Sequence, residues 1–128
     1  DATLVAYYSM DCSDYPALDG GPNLIHGVAV DLTIDGGRIN QAYLFNRSTA
    51  YFQVTNLVLL GQSYRPYSFT MWLRPIGPMS SGGTILHVSS RNDGTGWCMP
   101  FLGLDSLGRL VALGWDGTIV QLVGPTLN

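Results

Sequence analysis

The chain is predicted to be all-β, an antiparallel sandwich, on three observations. Tyr67, Phe69, Met71 and Leu73 alternate with Ser68, Thr70, Trp72 and Arg74, the period of two that gives a strand one buried face. Helix formers are scarce, since the 128 residues include no Glu and no Lys while Gly numbers 16. The apolar stretches are short and interrupted by Gly, Pro, Asn and Asp, as strands joined by turns require.

In chain order, strands are expected at about residues 4–10, 27–31, 41–46, 50–55, 67–74, 83–90, 97–105, 108–115 and 117–123. Residues 13–27, Ser13 to Gly27, form the one long weakly structured stretch and are expected to loop from the first strand to the sandwich. Asp105-Ser106-Leu107-Gly108 is expected to turn the chain between Phe101-Leu102-Gly103-Leu104 and Arg109-Leu110-Val111-Ala112-Leu113. Trp115-Asp116-Gly117-Thr118 sets Asp-Gly between two apolar runs, the composition of a tight hairpin with positive φ.

Length and composition bound the possibilities. A chain of 128 residues, 46% hydrophobic, is expected to make one domain with a real core. Its net charge is −3, from 6 Arg and 9 Asp, and no basic stripe is present. Duplex nucleic acid and anionic membrane surfaces, which both need clustered cations, are therefore poor partners. No apolar run approaches the ~20 residues that span a bilayer, so membrane insertion is not expected. The sequence begins at Asp1 without the charged start and apolar core of a signal peptide, and it is read as mature or excised from a longer chain.

The succession Tyr67-Ser68-Phe69-Thr70-Met71-Trp72-Leu73-Arg74-Pro75, Gly82-Gly83-Thr84-Ile85-Leu86, Gly96-Trp97, Leu102-Gly103-Leu104-Asp105 and Gly108-Arg109-Leu110 resembles the laminin G-like jelly roll of the concanavalin A-like lectin and glucanase superfamily. Upstream, Gly37-Arg38-Ile39-Asn40-Gln41-Ala42-Tyr43-Leu44-Phe45-Asn46 and Tyr51-Phe52-Gln53-Val54 look like that family's strand, small loop and returning strand. The resemblance covers nearly the whole chain in one order. It implies a jelly-roll sandwich that serves as an extracellular, secreted or cell-surface recognition module.

In that family the pair matching Arg109–Trp115 and Thr118–Val123 is usually followed by a Trp-x-His segment and a strand reading like Leu-x-Leu-Tyr-Val-Asn-Gly. The sequence given ends at Gly124-Pro125-Thr126-Leu127-Asn128. The expectation is that it supplies roughly the first two-thirds of the module, and that a continuation or a neighbouring chain completes the sheet, because unpaired strand edges invite pairing.

The resemblance also orders the candidate sites. An extracellular setting implies a Cys12–Cys98 disulfide, which by loop entropy contributes on the order of 4–5 kcal/mol; the alternative is two separate buried thiols. Asn46-Arg47-Ser48 is an N-glycosylation triplet, although Asn and Ser are also ordinary turn residues. A rim calcium of the family's kind would draw on Asp11, Asp14 and Asp19, yet Asp19-Gly20-Gly21-Pro22-Asn23 matches the family's acidic loop only loosely, and turn aspartates are the competing reading. Glucanases of this superfamily use a pair of glutamates, and this chain has none. His26 and His87 read as loop and strand residues, and neither adjoins a nucleophile-elbow serine.

Function therefore divides three ways. The leading expectation is a non-catalytic extracellular module that binds protein or glycan, followed by a structural repeat of a filament, sheath or adhesion array that contacts neighbouring copies; a glycan-acting enzyme is a distant third. Trp72, Trp97 and Trp115 are the rings best able to stack on a sugar, but all lie in or beside expected strands, where aromatics usually fill a core. Two of them exposed on one concave face would favour glycan binding, whereas buried tryptophans with Val54, Leu57, Val58, Leu59 and Leu60 on the surface would favour assembly.

Overall fold

A computed structural model describes residues 3–62 and 64–127. Among the described residues all ladders are antiparallel, and the only helical pieces are two 3-10 turns, Val58–Gly61 and Met79–Ser81. The chain divides into two compact units, Asp1–Trp72 and Leu73–Asn128.

The first unit contains two short ladders. Strand β1 (Val28–Val30) pairs with β4 (Tyr51–Gln53), placing Ala29 opposite Phe52. Strand β2 (Thr33–Gly36) pairs with β3 (Gln41–Leu44) across a loop closed by the Gly37 N–H on the Asn40 carbonyl. Gly27 is buried beneath the Phe52 ring, and Phe52 in turn meets Tyr8 edge-on at 5.2 Å and Tyr43 at 5.6 Å. These rings form the apolar centre of the unit.

The second unit is a four-stranded meander of β5 (Gly83–Ser89), β6 (Cys98–Leu104), β7 (Arg109–Trp115) and β8 (Ile119–Thr126), in spatial order β5-β6-β7-β8. Met99 and Phe101, two residues apart on β6, are buried on one face. The β6–β7 turn is Asp105 to Gly108: the Gly108 N–H reaches the Asp105 carbonyl, and Gly108 sits at φ 71°, which only glycine adopts freely. The same turn is pinned by the Asp105 carboxylate, which accepts the N–H of Leu107 and of Arg109 and pairs with the Arg109 guanidinium at 2.7 Å.

The antiparallel all-β class agrees with expectation, and strands β5 to β7 fall within a residue or so of their expected limits. Two expectations require correction. Residues 4–10 form no strand. Tyr67–Arg74 lies outside every ladder with all its side chains exposed, and Tyr67 meets Phe69 edge-on at 5.5 Å. Alternation sets which side chains share a face, but a strand also needs a neighbouring strand in register. Conversely, β2 went unanticipated because Thr33-Ile34-Asp35-Gly36 carries turn-type residues.

Because a Cβ at Gly27 would stand 2.2 Å from the Phe52 Cζ, the Gly27→Ala variant must displace a rigid ring. It should lose about 1–3 kcal/mol of stability in chemical denaturation. Unchanged stability would show that Phe52 is not seated on this glycine.

Candidate functional site

Two places concentrate chemistry, one in each unit. In the first, the irregular segment between residues 3 and 27 is organised by a single buried carboxylate, Asp19. One Asp19 oxygen accepts the N–H of Tyr7 at 2.8 Å and of Gly21 at 2.7 Å, and the other accepts the N–H of Ile25 at 2.8 Å. The Asp19 N–H is donated to His26 Nδ1. Around this cradle the hydroxyls of Tyr8 and Tyr15 donate to the carbonyls of Ile25 and Gly27. A carboxylate fed by three amides is held below its ordinary pKa, chiefly by the Tyr7 amide, against the opposing effect of burial. The Tyr8 hydroxyl is pushed up to about 12, first by burial and then by the Asp19 charge.

The three aspartates offered for calcium are engaged separately. Asp19 spends its oxygens on backbone amides, Asp11 spends its own on the Gln41 N–H and the Asn40 side chain, and Asp14 is exposed in the bend that follows Cys12. Among the described residues no three His, Cys or Asp side chains gather as a metal-binding group. Neither does the expected disulfide form: Cys12, half-buried in the first unit, and Cys98, exposed at the start of β6, are free thiols. Each cysteine belongs to a different compact unit. Asn46 is exposed just after β3.

The second place is the β7–β8 half of the meander. Trp115 stands opposite Ile119, Leu113 opposite Gln121, and Val111 opposite Val123, which puts these six on one face. On the other face Gly114 and Ala112 stand opposite Val120 and Leu122. Such small partners leave the larger side chains uncovered, and Leu122 is 71% exposed. Ile119, Val120 and Val123 are exposed as well, so β8 is apolar and open on both faces. Across the first face runs a groove of about 320 Å³ between Thr84, Gly103, Val111, Leu113 and Gln121, shaped by the missing side chain of Gly103.

The tryptophans are not core residues. Trp72 is 77% exposed, Trp97 54% and Trp115 57%; Trp72 lies in the first unit, where the Arg38 guanidinium covers its ring at 5.5 Å, and the other two belong to the meander. In the apolar segment, Val58 and Leu59 are exposed while Val54, Leu57 and Leu60 are half-covered. His26 is an exposed loop residue and His87 is exposed on β5. Among the described residues no helix is long and apolar enough to cross a membrane. The signal for the Asp19 cradle was the Asp-Gly-Gly run, whose small residues let backbone amides approach one carboxylate; the sequence could not say which distant amides, those of Tyr7 and Ile25, would arrive.

No family model, no curated protein and no solved structure matches the chain. The likeness to the laminin G-like modules therefore rests on the short motifs alone.

The cradle sets a pH dependence. With the folded pKa below the ordinary 3.8, the stabilisation is present above that value and is lost as pH falls through the folded pKa. Asp19→Ala should lower Tm by several degrees at pH 7, with the gap between variant and parent closing below about pH 4. Added calcium should leave the parent Tm where it is. A calcium-dependent rise that Asp19→Ala abolishes would restore the metal site.

Proposed function

We propose that the chain is a non-catalytic β-sheet module that works by binding another polypeptide through apolar surface, in the manner of an extracellular recognition or adhesion module. The observation that carries the reading is the amount of surface left uncovered. The chain exposes 9459 Å², whereas two separate bodies of half its 13.8 kDa would together expose about 8,000 Å². The surplus, about 1,500 Å², exceeds the roughly 800 Å² that one partner contributes to a protein–protein interface of standard size. Among the described residues the buried apolar side chains are Ala17, Met99 and Phe101, while large ones stand exposed along β8.

The laminin G-like jelly roll, with an extracellular or cell-surface setting, is the fuller form of this proposal. It is supported by the succession of motifs from Gly37 to Leu110 and by an exposed Asn46 within the Asn-Arg-Ser triplet. The non-catalytic part is supported by the aspartates: Asp11, Asp19, Asp35, Asp93, Asp105 and Asp116 each accept a backbone N–H and so act as structural acceptors. Exposure of Trp97 and Trp115 favours glycan binding as a second reading.

The two readings separate in solution. Under the polypeptide reading, the dilute chain binds a hydrophobic dye strongly and loses that binding as its solution mass rises with concentration. A cooperatively melting monomer that takes up no dye would overturn it. Under the glycan reading, an oligosaccharide shifts tryptophan fluorescence saturably, and Trp97→Ala or Trp115→Ala removes the shift.

A further inference from the structure

The polypeptide reading leaves open which chain meets β8, and the strand's own sequence answers. Ile119-Val120-Gln121-Leu122-Val123 reads apolar, apolar, polar, apolar, apolar in either direction. Its register against β7 is regular through these five residues and shifts only beyond Val123, toward Gly124 and Pro125. No strand pairs with its outer side among the described residues. The opposite edge, β5, differs: its register shifts twice, around Leu86, and such irregularity blunts an edge.

Resting on the polypeptide-binding proposal, we infer that β8 pairs antiparallel with β8 of a second copy of this chain, about a two-fold axis at Gln121, to make one continuous eight-stranded sheet. In that register Ile119 faces Val123 of the second copy, Val120 faces Leu122, and Gln121 faces Gln121. Each apolar side chain meets an apolar one on the same face of the sheet. The single polar pair is self-complementary, because a carboxamide both donates and accepts, and it penalises a slip of one residue, which would set glutamine against an apolar side chain.

Charge agrees with this occupant. The strand from Ile119 to Thr126 carries no charged residue, so a net charge of −3 on each copy does not bring like charges together at the seam. Pairing about a two-fold consumes both regular edges and leaves only the two irregular β5 edges outside, so the assembly closes at a dimer instead of growing.

The test places a cysteine on the axis. In a Cys12→Ser, Cys98→Ser background, Gln121→Cys should oxidise to a covalent dimer, since directly opposed antiparallel residues lie about 4.5–5.5 Å apart at Cα, within disulfide reach. Val123→Cys should not, because its own copy lies four residues away along the seam, about 13 Å. Sedimentation should show a monomer–dimer equilibrium that Leu122→Lys weakens on the order of 100-fold. A chain that associates yet cross-links no better at 121 than at 123, or that forms open-ended aggregates, overturns the two-fold pairing while leaving the polypeptide-binding reading intact. A dye-free monomer at every concentration overturns both.

Discussion

Every backbone N–H and C=O must be paired or left to water, and this chain meets that demand in two ways. In the first unit, where regular ladders are only three or four residues long, one aspartate substitutes for a strand: Asp19 collects the amides of Tyr7, Gly21 and Ile25 and so ties residues 3–27 into a fixed path. In the second unit the strands run seven or eight residues and pair with one another, leaving the outer sides of β5 and β8 without a ladder among the described residues. Removing the Asp19 carboxylate or covering the β8 edge therefore acts on the same quantity, unpaired backbone, with opposite sign.

The extent to which sequence foretold structure follows from which of these devices a segment uses. Strands β6 and β7 were legible because local signals agree: an apolar run, then Asp105 and Gly108 in a turn, then another apolar run. The second turn was legible in kind but not in length, since Asp116-Gly117 forms part of a three-residue loop, with Gly117 at φ 104° and β8 starting only at Ile119. Tyr67–Arg74 misled for the opposite reason. Its alternation is as regular as any in the chain, but a ladder is a property of two segments, and nothing in one segment's pattern names its partner. Asp19 was visible as a candidate calcium ligand or a turn aspartate; its role depends on amides 6 and 12 residues away, a long-range fact that local spacing does not carry.

The tryptophans mark the same divide. An aromatic in a strand is expected to be buried because two packed sheets supply a floor and a ceiling. Trp97 and Trp115 belong to a four-stranded meander in which Met99 and Phe101 on β6 are buried, while the β7–β8 side keeps its aliphatic residues exposed. The exposure of Trp115, Ile119 and Leu122 thus has one cause, the shortage of cover over β7 and β8, whereas Trp97 is exposed in the connection between β5 and β6.

Charge placement completes the picture. The aspartates serve turns and loops: Asp93 holds Thr95, Asp105 holds Leu107 and Arg109, and Asp116 holds Thr118. Soluble β proteins usually set a charge or a proline on an exposed strand to keep other chains away. Here the carboxylates are committed to shaping the backbone, Lys and Glu are absent, and the five residues from Ile119 to Val123 carry neither charge nor proline. The turns thereby fix the strands in place while the strands remain electrostatically neutral, so nothing along β8 repels an incoming strand. A sheet built this way is pinned by aspartates at its turns and carries neither charge nor proline along the five residues of its regular edge.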